Sequence, residues 1–180
     1  MRRFLGGVVT TLIVLLAGGF VVVNRGWIPM GADNPPSYLE RRLAHMALNA
    51  HLASHAPTQE NPVALAAEAL GEGARIYERH CAVCHGGAVN KISPLRNKFS
   101  PPVPQLVNRV PRDPDAEFWW ITKHGVRLTG MPAWDGILDD QQIWTVIAFV
   151  KHSDKLPPAA MAAWRQAADT TRAPAAVEKR

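Results

Sequence analysis

Apolar residues are unevenly spread along this chain, and the densest run comes first. Residues 4–23 carry no charge and are rich in Leu, Val and Gly, with Arg2 and Arg3 immediately before them. In a helix rising 1.5 Å per residue, about twenty such residues reach across the roughly 30 Å hydrocarbon core of a bilayer. The two arginines predict that the N-terminal end stays in the cytoplasm and that everything after Asn24 lies outside. Arg25 and Trp27 then fall where an interfacial belt belongs. A cleaved signal peptide competes with this reading, because Ala17 and Gly19 have the spacing of a processing site. Residues 20–23 prolong the apolar run beyond an ordinary signal h-region, so an uncleaved anchor is the expectation. Both readings export the remainder.

Past the anchor the period changes. Residues 24–36 contain Pro29, Gly31, Pro35 and Pro36 and read as a short stiff linker. Ser37 followed by Glu40 has the spacing of a capping box, which predicts a helix from Tyr38. Leu39, Leu43, Met46 and Ala50 recur at helical spacing, with Glu40, Arg41 and Arg42 off that stripe. Packing against the following domain is expected of this amphipathic helix, with a membrane surface or a partner as the other options. His51 and His55 stand four apart on it, but no carboxylate or cysteine completes a metal site, so they are expected to be solvated. Pro57 closes the segment.

A helix is predicted over residues 63–79, then a long irregular region over 86–113 with five prolines. Two more helices are predicted over 115–124 and 139–152. Asp139 suits the N-cap of the second, and Ile143, Val146, Ile147 and Val150 form its apolar stripe. From Pro157 onward Trp164 sits on a possible short helix, and residues 170–180, polar and Ala-rich, are expected to lack fixed structure. Strand-like alternation and internal repeats are absent. The fold class is all-α with much loop. A domain of about 85 residues with so much loop is short of apolar core, so something other than protein is expected at its centre.

Composition narrows the function. The chain has 180 residues, 19% of them charged, and a formal charge of +5. There are no long Lys/Arg blocks of the kind a nucleic-acid binder carries, so a charge-steered protein partner is expected instead. The two cysteines, Cys81 and Cys84, are three apart. Such a pair is no disulfide framework and has a local purpose.

That purpose is written in Cys81-Ala82-Val83-Cys84-His85, a C-x-x-C-H sequence that attaches c-type haem. Two thiols about one helical turn apart can add to the two vinyl groups of one porphyrin, and His85 then supplies the proximal ligand. A thioredoxin-like redox pair would want a strand before it and a sheet around it, and a zinc site would want a second ligand pair. For the sixth position, Thr129-Gly130-Met131-Pro132-Ala133-Trp134 offers a thioether, a soft neutral ligand that favours ferrous iron. His124, just before Gly125, is the other candidate. Met131 is preferred, because Gly130 and Pro132 take it out of a regular helix and a C-cap role suffices for His124.

With these residues in hand, the stretch 71–154 resembles a small class I cytochrome c. The marks are Gly73 and Tyr77 before the haem motif, Cys81 to Gly86, Pro104-Gln105-Leu106, Gly130 to Trp134, and a final helix from Asp139 through Phe149. The resemblance implies that the helix with Gly73 and Tyr77 crosses the last helix closely, with Phe149 against it. It implies that Pro104 offers its carbonyl to the proximal histidine, with Pro101 and Pro102 nearby in a loop longer than compact members have. It also implies that Trp119 or Trp120 sends an indole N–H to a haem propionate. The expected organisation is an anchor over 1–23, a linker with its amphipathic helix over 24–69, a cytochrome c domain over 70–156 and a tail over 157–180. The expected function is single-electron carriage through one covalent haem c, not catalysis. The domain would face the periplasm from the inner membrane, to which one helix holds it. Partners would be a quinol-oxidising cytochrome bc complex, a haem–copper oxidase or a dehydrogenase. The alternative is an electron-transfer subunit of a larger oxidase or dehydrogenase complex. Residues 88–112 hold five basic side chains, Lys91, Arg96, Lys98, Arg109 and Arg112, and no acidic one. They are the expected docking rim.

Overall fold

The computed structural model describes residues 1–172. The chain divides at Asn34 and Pro35 into two compact units. The first contains α1, Arg2–Asn24, in which no residue is buried. Thr10 and Thr11 lie within the apolar run, and each returns its hydroxyl proton to a carbonyl one turn back, at Gly6 and Gly7, 3.0 Å away. The helix therefore presents no unpaired hydroxyl to an apolar surround. Its length and composition are sufficient to cross a membrane.

The second unit begins with α2, Tyr38–His55. The capping box forms: Ser37 Oγ accepts from Glu40 N at 3.2 Å, and Glu40 Oε2 accepts from Ser37 N at 3.3 Å. Next come α3, Ala67–His80, and the single turn α4, Ala82–His85. α5, Asp115–His124, and α6, Asp140–His152, follow the long irregular segment, and α7, Pro158–Arg172, closes the described chain. Asp139 caps α6 as expected, its carboxylate accepting from Gln142 N at 2.8 Å. No β-sheet forms among the described residues, only an isolated bridge between Asp135 and Leu138.

Two boundaries differ from the sequence expectation by more than one residue. α3 starts at Ala67 rather than at 63, because Asn61 claims the preceding backbone. Its Oδ1 accepts from Val63 N at 3.0 Å while its Nδ2 donates to Trp144 O at 3.0 Å. At the other end, Trp164 lies on a helix of 15 residues and is only 3% exposed. Residues 170–172 continue that helix, so the unstructured stretch expected over 170–180 does not begin there, and residues 173–180 lie outside the described chain.

The core forms where α3 meets α6 and α7. Tyr77, Ile143, Ile147 and Phe149 are almost wholly enclosed. Phe149 sits between Tyr77, 5.2 Å away, and Trp164, which meets it edge-on at 5.0 Å. Close approach of α3 and α6 requires a glycine at 73, since a Cβ there would lie 2.7 Å from Phe149 Cβ and collide with the Thr145 carbonyl.

Candidate haem site

α3 delivers the C-x-x-C-H residues to the core without a break. Cys81 N donates to Tyr77 O at 2.8 Å, and His85 N donates to Cys81 O at 2.9 Å, so α4 is one turn set on the end of α3. Tyr77, buried beneath it, donates its hydroxyl to Gly86 O at 2.7 Å and lies 3.2 Å from His85 O. Burial raises the Tyr77 phenol far above its usual range, with Cys81 and Glu78 adding to the effect. It is held as a neutral donor. Burial likewise pushes the Cys81 thiol up to about 12, with Cys84 and then Glu78 contributing. The two thiols are not bonded to each other.

The irregular segment is tied to this turn by side chains. Gln105 donates from Nε2 to Cys84 O at 3.1 Å and accepts Ser93 N on Oε1 at 2.6 Å. Ser93 donates its hydroxyl to Val83 O at 2.6 Å, and Leu106 N donates to His85 O at 3.1 Å. These bonds bring the Pro104 carbonyl to His85 Nδ1, at 2.8 Å. A carbonyl can only accept, so Nδ1 carries the proton and Nε2 is left as the ring's lone-pair nitrogen. Desolvation lowers the His85 pKa and the Pro104 bond partly offsets it. The neutral imidazole, the form that binds a metal, is favoured.

Met131 is presented by a tight turn. Its N–H donates to Thr129 Oγ1 at 3.0 Å, and its carbonyl accepts from Val126 N at 3.2 Å. Gly125, with φ +70°, lets the end of α5 pass this turn: a Cβ there would lie 2.6 Å from the Pro132 carbonyl carbon. Gly130 lies directly against the Phe99 ring, with no room for a side chain.

Cys81, Cys84, His85 and Met131 all line one cavity of ≈ 270 Å³. Its other walls are almost entirely apolar: Phe118 and Ile121 from α5, Val146, Ile147 and Val150 from α6, and Phe99 with Pro101 to Pro104 from the irregular segment. An apolar slot with two thiols and a neutral imidazole on one helical turn, and a thioether on a separate turn, suits a porphyrin. The residues present fit the group that the C-x-x-C-H sequence calls for.

Trp119 and Trp120 are not among the lining residues. Trp119 stacks on Trp144 with ring centres 5.6 Å apart, and its indole N–H is buried without an acceptor. Trp120 instead meets His51 and His124, each at 4.8 Å. His124 does not line the cavity. His51 and His55 stack on one another at 3.9 Å, and His55 Nδ1 donates to His51 O at 2.9 Å. Sequence reasoning missed Phe99, Val126 and Leu48 as lining residues, and it missed the buried, unpartnered indole N–H of Trp134. Trp134 had a signal, since it closes the Gly-Met-Pro-Ala-Trp run.

Comparison with known proteins agrees with this geometry. Residues 68–150 match the family described as cytochrome c oxidase, cbb3-type, subunit III. A curated relative, cytochrome c6 of Bryopsis maxima, is 33% identical over 79 residues, covering 43% of this chain and 84% of the relative. No solved structure matches the chain.

Proposed function

Since this chain belongs to the class I c-type cytochromes, we propose that it carries single electrons outside the cytoplasm while α1 anchors it in the inner membrane. Its cofactor is covalent haem c, which supplies a one-electron couple. The observation that carries the proposal is the shared cavity of Cys81, Cys84, His85 and Met131. Cys81 and Cys84 would hold the porphyrin through thioethers. His85 would offer Nε2 to the iron, with the Pro104 carbonyl fixing the ring and keeping it basic. Met131 would offer its thioether sulfur to the same iron, and a group so held supplies outer-sphere one-electron transfer. Apolar walls keep water away and so favour the less charged ferrous form. Trp119, with a buried N–H still lacking an acceptor, is the better of the two neighbouring tryptophans for a propionate contact.

The single-pass anchor rests on the length and apolar character of α1, and the arginines that precede it support a periplasmic domain. A second reading has a specific observation behind it. The matched family bears the name of an oxidase subunit, so the chain would deliver electrons inside a terminal oxidase rather than between complexes. Purification in mild detergent separates the two: a co-eluting oxidase favours the subunit, and an isolated chain favours the carrier.

The optical spectrum tests the site. The oxidised protein is expected to be low-spin with a far-red methionine-to-ferric charge-transfer band. Met131→Ala should abolish the band and admit carbon monoxide to the reduced iron. Persistence of the band in Met131→Ala would remove Met131 as ligand.

A further inference from the structure

The family match begins at residue 68, yet one wall of the haem cavity comes from upstream of it. Leu48, on α2, lines the cavity together with His85 and Met131. α2 is fixed to the domain by the same face. Leu52, one turn further on, is 4% exposed, and His51 meets Trp120 of α5 edge-on at 4.8 Å. Leu39, Leu43 and Met46 point elsewhere, being 64%, 54% and 56% exposed. Thus α2 contributes a single apolar side chain to the cavity, and it does so from a helix that the haem-binding segment does not itself encode.

Oxidised haem carries one more positive charge than reduced haem. Removing water or polar atoms from its surface therefore costs the ferric form more, and the reduction potential rises. We propose that Leu48 completes the apolar wall of the haem pocket and that α2 thereby sets the reduction potential of the domain. The proposal rests on the haem-carrier reading above. It gives the segment between anchor and domain a task beyond spacing.

The test is a spectroelectrochemical titration of the full-length haem-loaded protein in detergent, comparing Leu48→Glu, Leu48→Gln and Leu48→Ala with wild type. Leu43→Glu, which places the same charge on the outward side of α2, is the control. Leu48→Glu should lower the ferrous-to-ferric ratio at fixed ambient potential about tenfold, equivalent to about 59 mV for one electron. Leu48→Gln should give a smaller fall in the same direction and Leu48→Ala the smallest, each keeping the far-red band. Leu43→Glu should leave the potential unchanged. The proposal is overturned if Leu48→Glu and Leu48→Gln titrate with wild type, or if Leu43→Glu shifts as far as Leu48→Glu. Should Leu48→Glu fail to accumulate as holoprotein, Leu48→Gln and Leu48→Ala decide by the same criterion. A wild-type chain without covalent haem would instead overturn the haem-carrier reading, and this inference with it.

Discussion

A Cβ at position 73 would meet two groups, and neither gives way easily. Phe149 Cβ can move only with its helix, and the Thr145 carbonyl is backbone already engaged in α6. Gly73→Ala should therefore push α3 and α6 apart and destabilise the holoprotein by about 1–3 kcal/mol through overpacking. Guanidinium unfolding measures this, and a midpoint equal to wild type would show the crossing to be looser than drawn. Glu78 poses the opposite case, a side chain whose removal leaves others stranded. Its Oε1 accepts both Ala88 N and Trp164 Nε1, each at 2.6 Å. Gly87 leaves space for that carboxylate, which a Cβ there would approach to 2.7 Å. Glu78→Ala strands two donors at a cost of about 1–3 kcal/mol each, and Glu78→Gln, which keeps an acceptor oxygen, should lose less. Equal stability of the two variants would contradict the double-acceptor role.

At the scale of elements, α7 behaves as part of the haem domain rather than as a tail. Trp164 packs on Phe149 and bonds to Glu78, while Ala160 and Ala163 sit against Gly71. Trp164→Ala should cost about 3–5 kcal/mol by thermal or denaturant unfolding, as expected for a large core residue. A loss under about 1 kcal/mol, the size expected of a surface substitution, would return the segment to the status of a tail. How far each element could be read from sequence follows from where its information lies. α5 runs over the residues expected, and α6 starts one residue later only because Asp139 is its cap. Both carry local signals. α2 declared itself through Ser37 and Glu40. α3 begins four residues later than expected, because the Asn61 bonds to Val63 N and Trp144 O hold the backbone ahead of it. The packing of α7 depends on small residues meeting Gly71 far away in sequence, which no local period reveals. The site divides in the same way. Cys81, Cys84, His85 and Met131 were legible because spacing and neighbours encode their chemistry. Leu48 and Phe99 reach the cavity only through the fold, and apolar residues in helix or loop carry no mark of such a role.

For the whole molecule, charge and cavity fall on the same segment of chain. Lys91, Arg96, Lys98, Arg109 and Arg112 are all exposed, and none joins an ion pair among the described residues. Between them in sequence, Phe99, Pro101 and Pro102 line the haem cavity. Basic side chains thus flank the stretch of backbone that walls the cavity. A positive rim of this kind chiefly accelerates encounter with an acidic partner, and at physiological salt its reach is about 8–10 Å. Electron transfer to such a partner should slow as ionic strength rises. Reversal of Lys91, Arg96 and Lys98 to Glu should slow it further at low salt and flatten the salt dependence, with the optical spectrum unchanged. Anchoring by α1, as proposed above, would temper the size of the effect, because a domain held at the membrane near its partner meets it at high effective concentration and depends less on steering. Cutting the chain after Asn24 to release a soluble domain should therefore steepen the salt dependence of the wild-type segment and leave that of the triple reversal nearly flat. Stopped-flow rates across a salt series provide the comparison, and rates for the triple reversal that match wild type at every salt concentration would reduce the basic segment to scaffold.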